Sequence, residues 1–400
     1  MRARLLPQGD MTQITHELTR MGYHASEEST SHSARPLAVK LIGVPDDTAT
    51  LLSHWLRRQG TAWWHSTSGA TAHTTDVVCG GPPALFDELR QASQHEPKFR
   101  AVVDAMAQVL ASQKAAPTLL QLGSQSLAIG QRTYVMGILN VTPDSFSDGG
   151  LYLQPEQAIK HAEEMLADGA DLIDVGGQSS RPGALAVPAE VERQRVLPVV
   201  REIVKRYDAL VSVDTYRAEV AEAALDAGAV LINDISAMRF DARMLSLLAQ
   251  RHASVVLMHM QGTPHTMQQA PTYRHIIDEV YGFLAERLAL ALRCGMTRQQ
   301  IVLDPGIGFG KTVQHNVELL GALASFRALG QPLLVGTSRK SFLGALLERE
   351  VWDRLEGSIA SAVYAVLQGA SMVRVHDVKP MLQAIRLLDT LQHAPGSALS

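Results

Sequence analysis

The feature that most constrains the fold is a regular alternation of short apolar segments with longer amphipathic segments, which runs from residue 134 to residue 391. A short apolar segment is typical of a buried strand, whereas the amphipathic segments have the period of a helix. The predicted strands are 134–139, 171–175, 210–213, 229–232, 254–258, 300–303, 332–335 and 372–375. The predicted helices are about 155–168, 189–206, 216–227, 241–251, 274–293, 313–328, 338–348 with 354–368, and 378–391. Eight strand–helix units in about 260 residues predict an α/β fold of the (β/α)₈ TIM-barrel type, with a doubly wound open sheet as the alternative.

A hairpin and a smaller domain are predicted before the barrel. Residues 119–123 and 126–129 are typical of a short hairpin in front of the first barrel strand. Residues 37–117 predict an additional small N-terminal α/β domain of unknown role. Its predicted elements are strands at 37–44 and 76–79, a helix that ends before Gly60, and helices at 84–92 and 98–113. The remaining assignments are a weakly ordered or peripheral segment at 1–36, the barrel at 118–392 and a C-terminal tail at 393–400.

Composition excludes several functional classes. The chain has 36 basic and 40 acidic residues and a net charge of −4, which argues against a nucleic-acid partner. Its two cysteines, Cys79 and Cys294, are too few for a disulfide framework or a zinc cluster. No segment has the length and hydropathy of a membrane span, and residues 1–10 lack the apolar core of a signal peptide. We therefore expect a cytoplasmic protein with no membrane partner.

Polar residues follow nearly all of the predicted barrel strands. Barrel enzymes place their chemistry at the carboxyl ends of the strands, where the βα loops begin. In chain order these positions hold Asn140, Asp174, Asp214, Asn233, Met258 with His259, Asp304, Gly336 leading to Arg339 and Lys340, and Arg374 with His376. The opposite strand ends carry ordinary helix-to-strand turns, such as 168–170. This asymmetry predicts one ligand site at the carboxyl-end mouth of the barrel.

The charges at this mouth are separated along the chain. Asp214, Asn233 and Asp304 offer acceptors, which suit the edge of a ring with several N–H donors, such as an aminopyrimidine. Arg374 and His376 follow the eighth strand, next to the first strand in a closed barrel, and suit an anion such as a phosphate. The expected ligand is a flat, donor-rich heterocycle linked to a phosphate-type group.

Two patterns and two single residues need separate interpretation. Gly306–Thr312 resembles a phosphate-binding loop, but Pro305 occupies a position where that motif requires glycine. Three histidines of the barrel, His259, His265 and His315, lack the spacing of metal ligands, so a satisfied or surface role is favoured for them. Lys340 would be a solvated helix residue in isolation, but at this mouth a ligand role is favoured. Asp174 either binds the ligand or orients its neighbours, and both alternatives stay open.

Several of these stretches, taken together and in order, resemble the dihydropteroate synthase family. They are 137–150, 173–183, 212–215, 232–234, 257–262, 303–311, 335–341 and 374–377. The resemblance covers about residues 118–392. It implies a transferase of folate biosynthesis that condenses a 7,8-dihydropterin methyl diphosphate with 4-aminobenzoate, giving 7,8-dihydropteroate and pyrophosphate.

The resemblance also implies roles for individual residues. The implied pterin site consists of Asp214, Asn233, Asp304 and Lys340, with Met258 and Gly336 lining the slot. Asn140 is similar to the family's contact to Mg²⁺ and the diphosphate, and Arg374 with His376 to its anion clamp. The second mobile loop corresponds to Ser180, Arg181 and Pro182, and the aminobenzoate pocket to Phe146, Phe309 and Ser341. The family further implies a homodimer formed through the later barrel helices.

The segment from Thr142 to Gly150 is interpreted as a lid that moves relative to Asn140, so we expect it to be mobile without ligand. One departure concerns Gln178-Ser179-Ser180, where the family commonly has Glu-Ser-Thr. This change leaves aminobenzoate affinity and the response to sulfonamides open. Two rival interpretations are a pterin-binding methyltransferase and a non-catalytic pterin-binding paralogue. The complete diphosphate-binding motifs argue against the first, and the presence of both loop sequences argues against the second.

Overall fold

The computed structural model describes residues 1–6, 17, 37–59, 63–68, 73–142, 154–180 and 183–392. The chain divides into two compact units. The first comprises Met1–Ala116 together with Ala324–Gly330, and the second comprises Pro117–Leu323 together with Gln331–Leu399.

The first unit contains an antiparallel sheet of four strands. The strands are β1 (Arg2–Leu5), β2 (Leu37–Pro45), β3 (Trp63–Ser68) and β4 (Thr74–Gly81), and their order in the sheet is β1-β2-β4-β3. The helices are α1 (Asp46–Arg58), α2 (Ala84–Ala92) and α3 (Arg100–Lys114). Helix α1 has acidic residues in its first turn and basic residues in its last turn, as the helix dipole favours.

Strands β1 and β3 were not predicted from the sequence. Strand β1 is short and contains Arg4, which looks like a surface residue but is almost fully buried. Its guanidinium pairs with the Glu17 carboxylate at 3.0 Å, and the same carboxylate accepts a hydrogen bond from Lys40 at 2.6 Å. Strand β1 therefore lies within the interior of the unit, although its sequence predicted a peripheral segment.

The second unit begins with the predicted hairpin, which lies at the amino end of the barrel and contributes to its core. It consists of β5 (Leu119–Leu122) and β6 (Gln125–Ala128), paired antiparallel. The buried cluster that it joins contains Leu120, Leu122, Tyr134, Met136, Leu172, Leu231, Val256, Val302, Leu334 and Met372. The hairpin covers the amino end of the barrel and this layer fills the middle. Strand residues can therefore face a ligand at the carboxyl end.

The barrel itself has eight strands. They are β7 (Tyr134–Asn140), β8 (Leu172–Gly176), β9 (Leu210–Asp214), β10 (Leu231–Asp234), β11 (Ser254–Met258), β12 (Ile301–Asp304), β13 (Leu334–Val335) and β14 (Met372–Val375). Their order is β12-β11-β10-β9-β8-β7-β14-β13, and all neighbouring pairs are parallel. A parallel bridge between Leu303 and Leu333 connects the two ends of this order. The predicted TIM barrel is therefore confirmed.

Helices follow the barrel strands, as predicted. They are α4 (Gln154–Ala167), α5 (Ala189–Tyr207), α6 (Ala218–Asp226), α7 (Arg243–Gln250), α8 (Ile276–Arg293), α9 (Val313–Gly321), α10 (Ser341–Leu347), α11 (Leu355–Leu367) and α12 (Val378–Gln392). Two boundaries differ from the prediction. The helix predicted to reach residue 328 ends at Gly321 and is followed by the 3₁₀ helix Leu323–Leu329. The helix predicted from 338 begins at Ser341, after a turn. In the described part of the chain, no helix has both the length and the hydropathy needed to cross a membrane.

Candidate active site at the barrel mouth

The core layer determines which side chains reach the mouth. Residues two apart on a strand point to the same side, so the residue two positions beyond each core residue also faces inward, nearer the carboxyl end. On six strands these residues are Asp174, Asn233, Met258, Asp304, Gly336 and Arg374. Strand β9 contributes Asp214 at its last position, and strand β7 contributes Asn140. A Cβ placed on Gly176 would lie 3.5 Å from Asn140 Oδ1 and 3.7 Å from Asp214 Cβ, so these two side chains flank that glycine.

Arg374 is the centre of a charge cluster at the mouth. Its Nε donates to Oδ2 of Asp174 at 2.6 Å, and its Nη2 donates to Oδ2 of Asp214 at 3.1 Å. Asn233 Nδ2 donates to the same oxygen of Asp174 at 3.0 Å. Asp174 is fully buried and therefore orients both neighbours. Its Oδ1 and the Oδ1 of Asn233 are buried without a hydrogen-bond partner among the described residues, so two acceptors stay available to a ligand.

Burial shifts the ionisation of the charged side chains at this site. It raises the pKa of Asp214 to about 7, against the opposing effect of Arg374. It also raises the pKa of Asp304, where Lys340 acts in the opposite direction. Burial lowers the pKa of Lys340 to about 8, although the Asp304 carboxylate favours the charged amine. Perturbed carboxylates and amines that share a cleft are typical of functional sites.

Lys340 reaches the mouth across the loop that follows β12. Its Nζ donates to the carbonyl of Ile307 and lies 4.3 Å from the centroid of the Phe309 ring. A Cβ on Gly308 would lie only 2.7 Å from Lys340 Cδ, and Gly308 has a φ of +82°. Gly308 therefore meets two requirements, a left-handed backbone and room for the lysine chain.

An apolar cluster lies beside the charged groups. Its buried members are Ile235, Met258, Met260 and Met267, and Tyr216 with Phe309 packs against them. Methionine side chains are flexible and polarizable and make favourable contacts with aromatic rings. This surface suits the face of a flat heterocycle, while the carboxylates suit its edge.

The loop after β12 is anchored by the buried side chain of Lys311. No role was predicted for this residue from the sequence. The amine is almost fully buried, contacts Nδ1 of His259 at 2.9 Å and donates to the Phe309 carbonyl at 2.9 Å. Burial lowers the pKa of both groups, His259 and Lys311, well below their ordinary values. This lysine lies in the pattern Gly306–Thr312, but its buried anchoring role was not predicted because its partner His259 lies 52 residues away.

The interpretation of the histidines as satisfied or surface residues is confirmed. His259 packs edge-on against Phe283, with ring centroids 4.9 Å apart. His315 lies in the first turn of α9, where its Nδ1 accepts from the backbone N–H of Thr312 at 3.2 Å. His265 is exposed. Within the described ranges, no group of three or more histidine, cysteine or carboxylate side chains is arranged to hold a metal ion.

The other predicted residues lie around the same rim or outside the described residues. His376 Nδ1 lies 3.1 Å from the hydroxyl of Ser338, a partner that sequence analysis missed. Gly336 is buried directly after β13, Ser341 is exposed at the start of α10, and Ser180 is partly exposed. Outside the described ranges lie Arg181, Pro182 and residues 143–150 of the lid predicted from Thr142 to Gly150, which include Phe146. The predicted mobility of that lid therefore stays a prediction.

Gln178, the departure noted in the second loop, has a specific partner. Its Nε2 donates to the hydroxyl of Tyr216 at 2.8 Å. Tyr216 in turn packs edge-on against Phe240, with ring centroids 5.3 Å apart. A glutamate at this position could only accept a hydrogen bond from Tyr216. Tyr216 was not singled out from the sequence, although it follows Asp214 by two residues.

The chain is similar in sequence and in fold to known pterin-binding enzymes. Residues 136–376 match the family described as pterin binding enzyme. A dihydropteroate synthase of Synechocystis sp. is 45% identical over 276 residues, which cover 69% of this chain and 96% of that protein. A dihydropteroate synthase of Escherichia coli is 48% identical over 256 residues, covering 64% and 90%. The solved dihydropteroate synthase of Xanthomonas albilineans with 4-aminobenzoic acid is 42% identical, with a TM-score of 0.66, and the similarity covers 70% of this chain and 99% of that one.

Proposed function

The chain belongs to the dihydropteroate synthase family of pterin-binding enzymes, and from this premise we propose how its own residues carry out the reaction. The enzyme condenses (7,8-dihydropterin-6-yl)methyl diphosphate with 4-aminobenzoate to give 7,8-dihydropteroate and pyrophosphate. The observation that carries the proposed assignment of roles is the inward-facing layer of Asp174, Asn233, Asp304 and Arg374 just above the filled barrel core.

We propose that the acceptors of this layer bind the N–H groups along one edge of the pterin ring. Asn233, Asp214 and Asp304 accept from the N–H groups of the ring, and the unpartnered Oδ1 of Asn233 supports this role. A buried acceptor without a partner destabilises the site, and a donor-rich ring removes that cost. Lys340 donates to the acceptor atoms of the ring, while Met258 and Gly336 line the slot.

The diphosphate is proposed to bind Arg374 and His376. Arg374 donates to the two carboxylates from Nε and Nη2, yet the planar guanidinium has five N–H donors. The remaining donors can bind phosphate oxygens. Positive charge at the departing pyrophosphate lowers the barrier to its release, because charge develops there in the transition state.

The substrate carbon that links the pterin ring to the diphosphate becomes cationic as pyrophosphate leaves. We propose that Asp214 and Asp304 stabilise this cation. A weakly basic arylamine can attack such a carbon without a strong general base on the protein. The aminobenzoate pocket is proposed to include Phe309, Ser341 and Ser180. The remaining proposed members, Phe146, Arg181 and Pro182, lie outside the described residues.

We propose Mg²⁺ as the metal, with the amide oxygen of Asn140 as its protein ligand. Mg²⁺ prefers oxygen ligands and commonly completes its shell with substrate phosphates and water. Asn140 and Asp214 supply oxygens on either side of Gly176, so the donor set fits this ion. When bound, the ion supplies positive charge to the leaving pyrophosphate. Calorimetric titration should show that Mg²⁺ tightens the binding of a pterin diphosphate to the wild type and not to Asn140→Ala, whereas equal tightening in both contradicts the assignment.

A homodimer is proposed from exposed apolar residues on the last helices. These residues are Leu346, Leu347, Val351, Trp352, Tyr364, Leu367, Leu387 and Leu391. Trp352 is 78% exposed, and we propose that these side chains together form one apolar patch, of the kind that marks an interaction surface. Sedimentation analysis should give a dimer for the wild type and a monomer for Trp352→Glu with Leu367→Glu. The matched control is Leu51→Glu on α1, and a monomeric wild type contradicts the proposal.

We also propose a cytoplasmic location. Cys79 and Cys294 are both free thiols, the state that a reducing compartment maintains. Cell fractionation tests this location, and recovery in an extracytoplasmic fraction contradicts it.

The experiment that tests the function is pyrophosphate release from the dihydropterin diphosphate with Mg²⁺, with and without 4-aminobenzoate. Release that depends on the amine, together with formation of 7,8-dihydropteroate, is the expected result. Pterin binding without turnover would instead identify a non-catalytic pterin-binding protein.

A further inference from the structure

The turn that precedes Lys340 contains an unfavourable backbone conformation. The backbone N–H of Lys340 donates to the carbonyl of Thr337 at 3.2 Å, which closes a four-residue turn. Its third residue, Arg339, has a φ of +56°. A positive φ at this position of a turn favours glycine or asparagine, because a Cβ is crowded there. The residue directly before the proposed pterin-binding lysine is therefore held in a conformation that an arginine rarely adopts.

The side chain of Arg339 ties this turn to the end of the next strand. Its Nε donates to Oδ2 of Asp377 at 2.9 Å, and its Nη2 donates to Oδ1 at 2.5 Å. Such a two-point contact fixes the plane of the guanidinium as well as its distance. Asp377 follows His376 at the carboxyl end of β14. The turn after β13 and the turn after β14 are thus joined directly beside the mouth.

The backbone of Arg339 is held by Ser358 on α11 and by Arg354, the residue directly before that helix. Its N–H donates to the hydroxyl of Ser358 at 2.9 Å, and its carbonyl accepts from Nη1 of Arg354 at 3.1 Å. Ser358 is almost fully buried and donates to the Arg354 carbonyl at 2.6 Å.

Arg354 can reach this carbonyl because Gly344 on α10 has no side chain. A Cβ on Gly344 would collide with the guanidinium of Arg354. An unfavourable backbone conformation persists only where its surroundings hold it from several directions, and such residues cluster at functional sites. Here two backbone bonds and one bidentate ion pair hold the same residue.

We propose that Arg339 is a positioning residue whose left-handed backbone, held by Asp377, Ser358 and Arg354, sets the direction in which Lys340 enters the mouth. Lys340 follows Arg339 directly, so a relaxed φ at Arg339 turns the lysine side chain away from Ile307 and Phe309. In the ion pair between Arg339 and Asp377, the Arg339 side chain is 42% exposed and the Asp377 side chain 23% exposed. Ion pairs near the surface contribute little to stability. The main effect of this pair is therefore on the geometry of Lys340. This inference rests on the proposed role of Lys340 in binding the pterin.

The test compares Arg339→Ala, Arg339→Gly and Asp377→Ala in the full chain. We measure kcat and KM for both substrates, Tm, and the Kd of 6-hydroxymethylpterin, which has the ring but no leaving group. Arg339→Ala and Asp377→Ala should raise the pterin Kd and the KM of the pterin substrate about tenfold, since losing one hydrogen bond from the charged Lys340 amine to the ring costs about 1.4 kcal/mol, which is tenfold in Kd. Arg339→Gly should raise them less, because glycine adopts this φ without strain. The double variant Arg339→Ala with Asp377→Ala should be no worse than Arg339→Ala alone.

The control is Glu202→Ala on α5, which removes an exposed pair in which Nε and Nη2 of Arg206 both approach Oε2 of Glu202. It should change Tm about as much as Asp377→Ala and leave the pterin Kd unchanged. Wild-type Kd in the three test variants overturns the inference, as does equal impairment by alanine and glycine at position 339. If Arg339→Ala alters only the Michaelis constant for the arylamine substrate and Asp377→Ala is silent, Arg339 contacts that substrate directly, which also overturns the inference. A wild type that binds pterin but releases no pyrophosphate refutes the proposed function, and the Kd comparison still tests the positioning role.

Discussion

Replacing Arg374 with methionine should separate its catalytic effect from its structural effect. Its guanidinium is 18% exposed and pairs with the fully buried Asp174 and with Asp214. Removing one partner of a buried pair leaves an uncompensated charge and costs about 3–5 kcal/mol. For a domain of this size, 1 kcal/mol lowers Tm by about 2–4 °C, so a loss on the order of 10 °C is expected. Turnover should fall by about two orders of magnitude or more, because the charge at the leaving group is lost.

A compensating variant distinguishes the two effects. Arg374→Met strands the carboxylates of Asp174 and Asp214; Asp174→Asn in that background removes the more deeply buried of the two and should restore part of the lost Tm without restoring turnover. The matched control is Arg217→Met, since Arg217 is also 18% exposed and pairs with the buried Glu192 at 2.6 Å. That control should lower Tm to a similar extent and retain turnover in the folded fraction.

Calorimetry or thermal melting followed by fluorescence measures Tm, and pyrophosphate release measures turnover. If Arg374→Met turns over within a few-fold of the wild type, the proposed clamp for the diphosphate is wrong. If Asp174→Asn gives no recovery of Tm, the stability loss does not come from the stranded charge of Asp174.

Three further perturbations test the geometry of the mouth. Gly308→Ala should raise the KM of the pterin substrate, because the added Cβ displaces Lys340. Gly295 has a similar positive φ but open surroundings, so Gly295→Ala should leave this KM unchanged. Equal effects of the two substitutions on KM would contradict the reasoning. Burial raises the pKa of Asp214 to about 7, so the folded state binds more protons than the unfolded state between about pH 4 and 7, and stability falls as pH rises through that range. The Tm of Asp214→Asn minus that of the wild type should therefore grow from pH 4 to pH 7 in thermal melts, and a constant difference would refute the shift. Gln178→Glu should keep turnover within about threefold, because the neighbouring tyrosine hydroxyl can donate as well as accept, and a larger loss would show that the amide itself is required.

The barrel elements were predictable because their signals are local. The predicted strands at 254–258 and 372–375 coincide with β11 and β14. A short apolar run indicates a buried strand, and the polar residue at which it stops indicates where the carboxyl end of that strand lies. Strand β1 escaped prediction because Arg4 looks exposed until the partner Glu17 is placed beside it.

Candidate residues at the mouth were predictable for a similar reason, since they follow predicted strands. Asp214, Asp304 and Arg374 could be placed by position alone, and the site roles proposed for them still require experiment. Lys311 and Ser338 could not be found in this way, because their partners come from other loops.

The sequence by itself determined the period of each element, the polar ends of the strands and therefore the side of the barrel that faces a ligand. Only the tertiary structure decided which charges meet. Arg374 and Asp174 lie 200 residues apart and become partners because β14 pairs with β7, and β7 with β8. The same closure removes water from the mouth, and that desolvation shifts the pKa of Asp214 and Lys340. Local pattern records whether a residue is buried, whereas pairing and desolvation depend on the whole closed barrel.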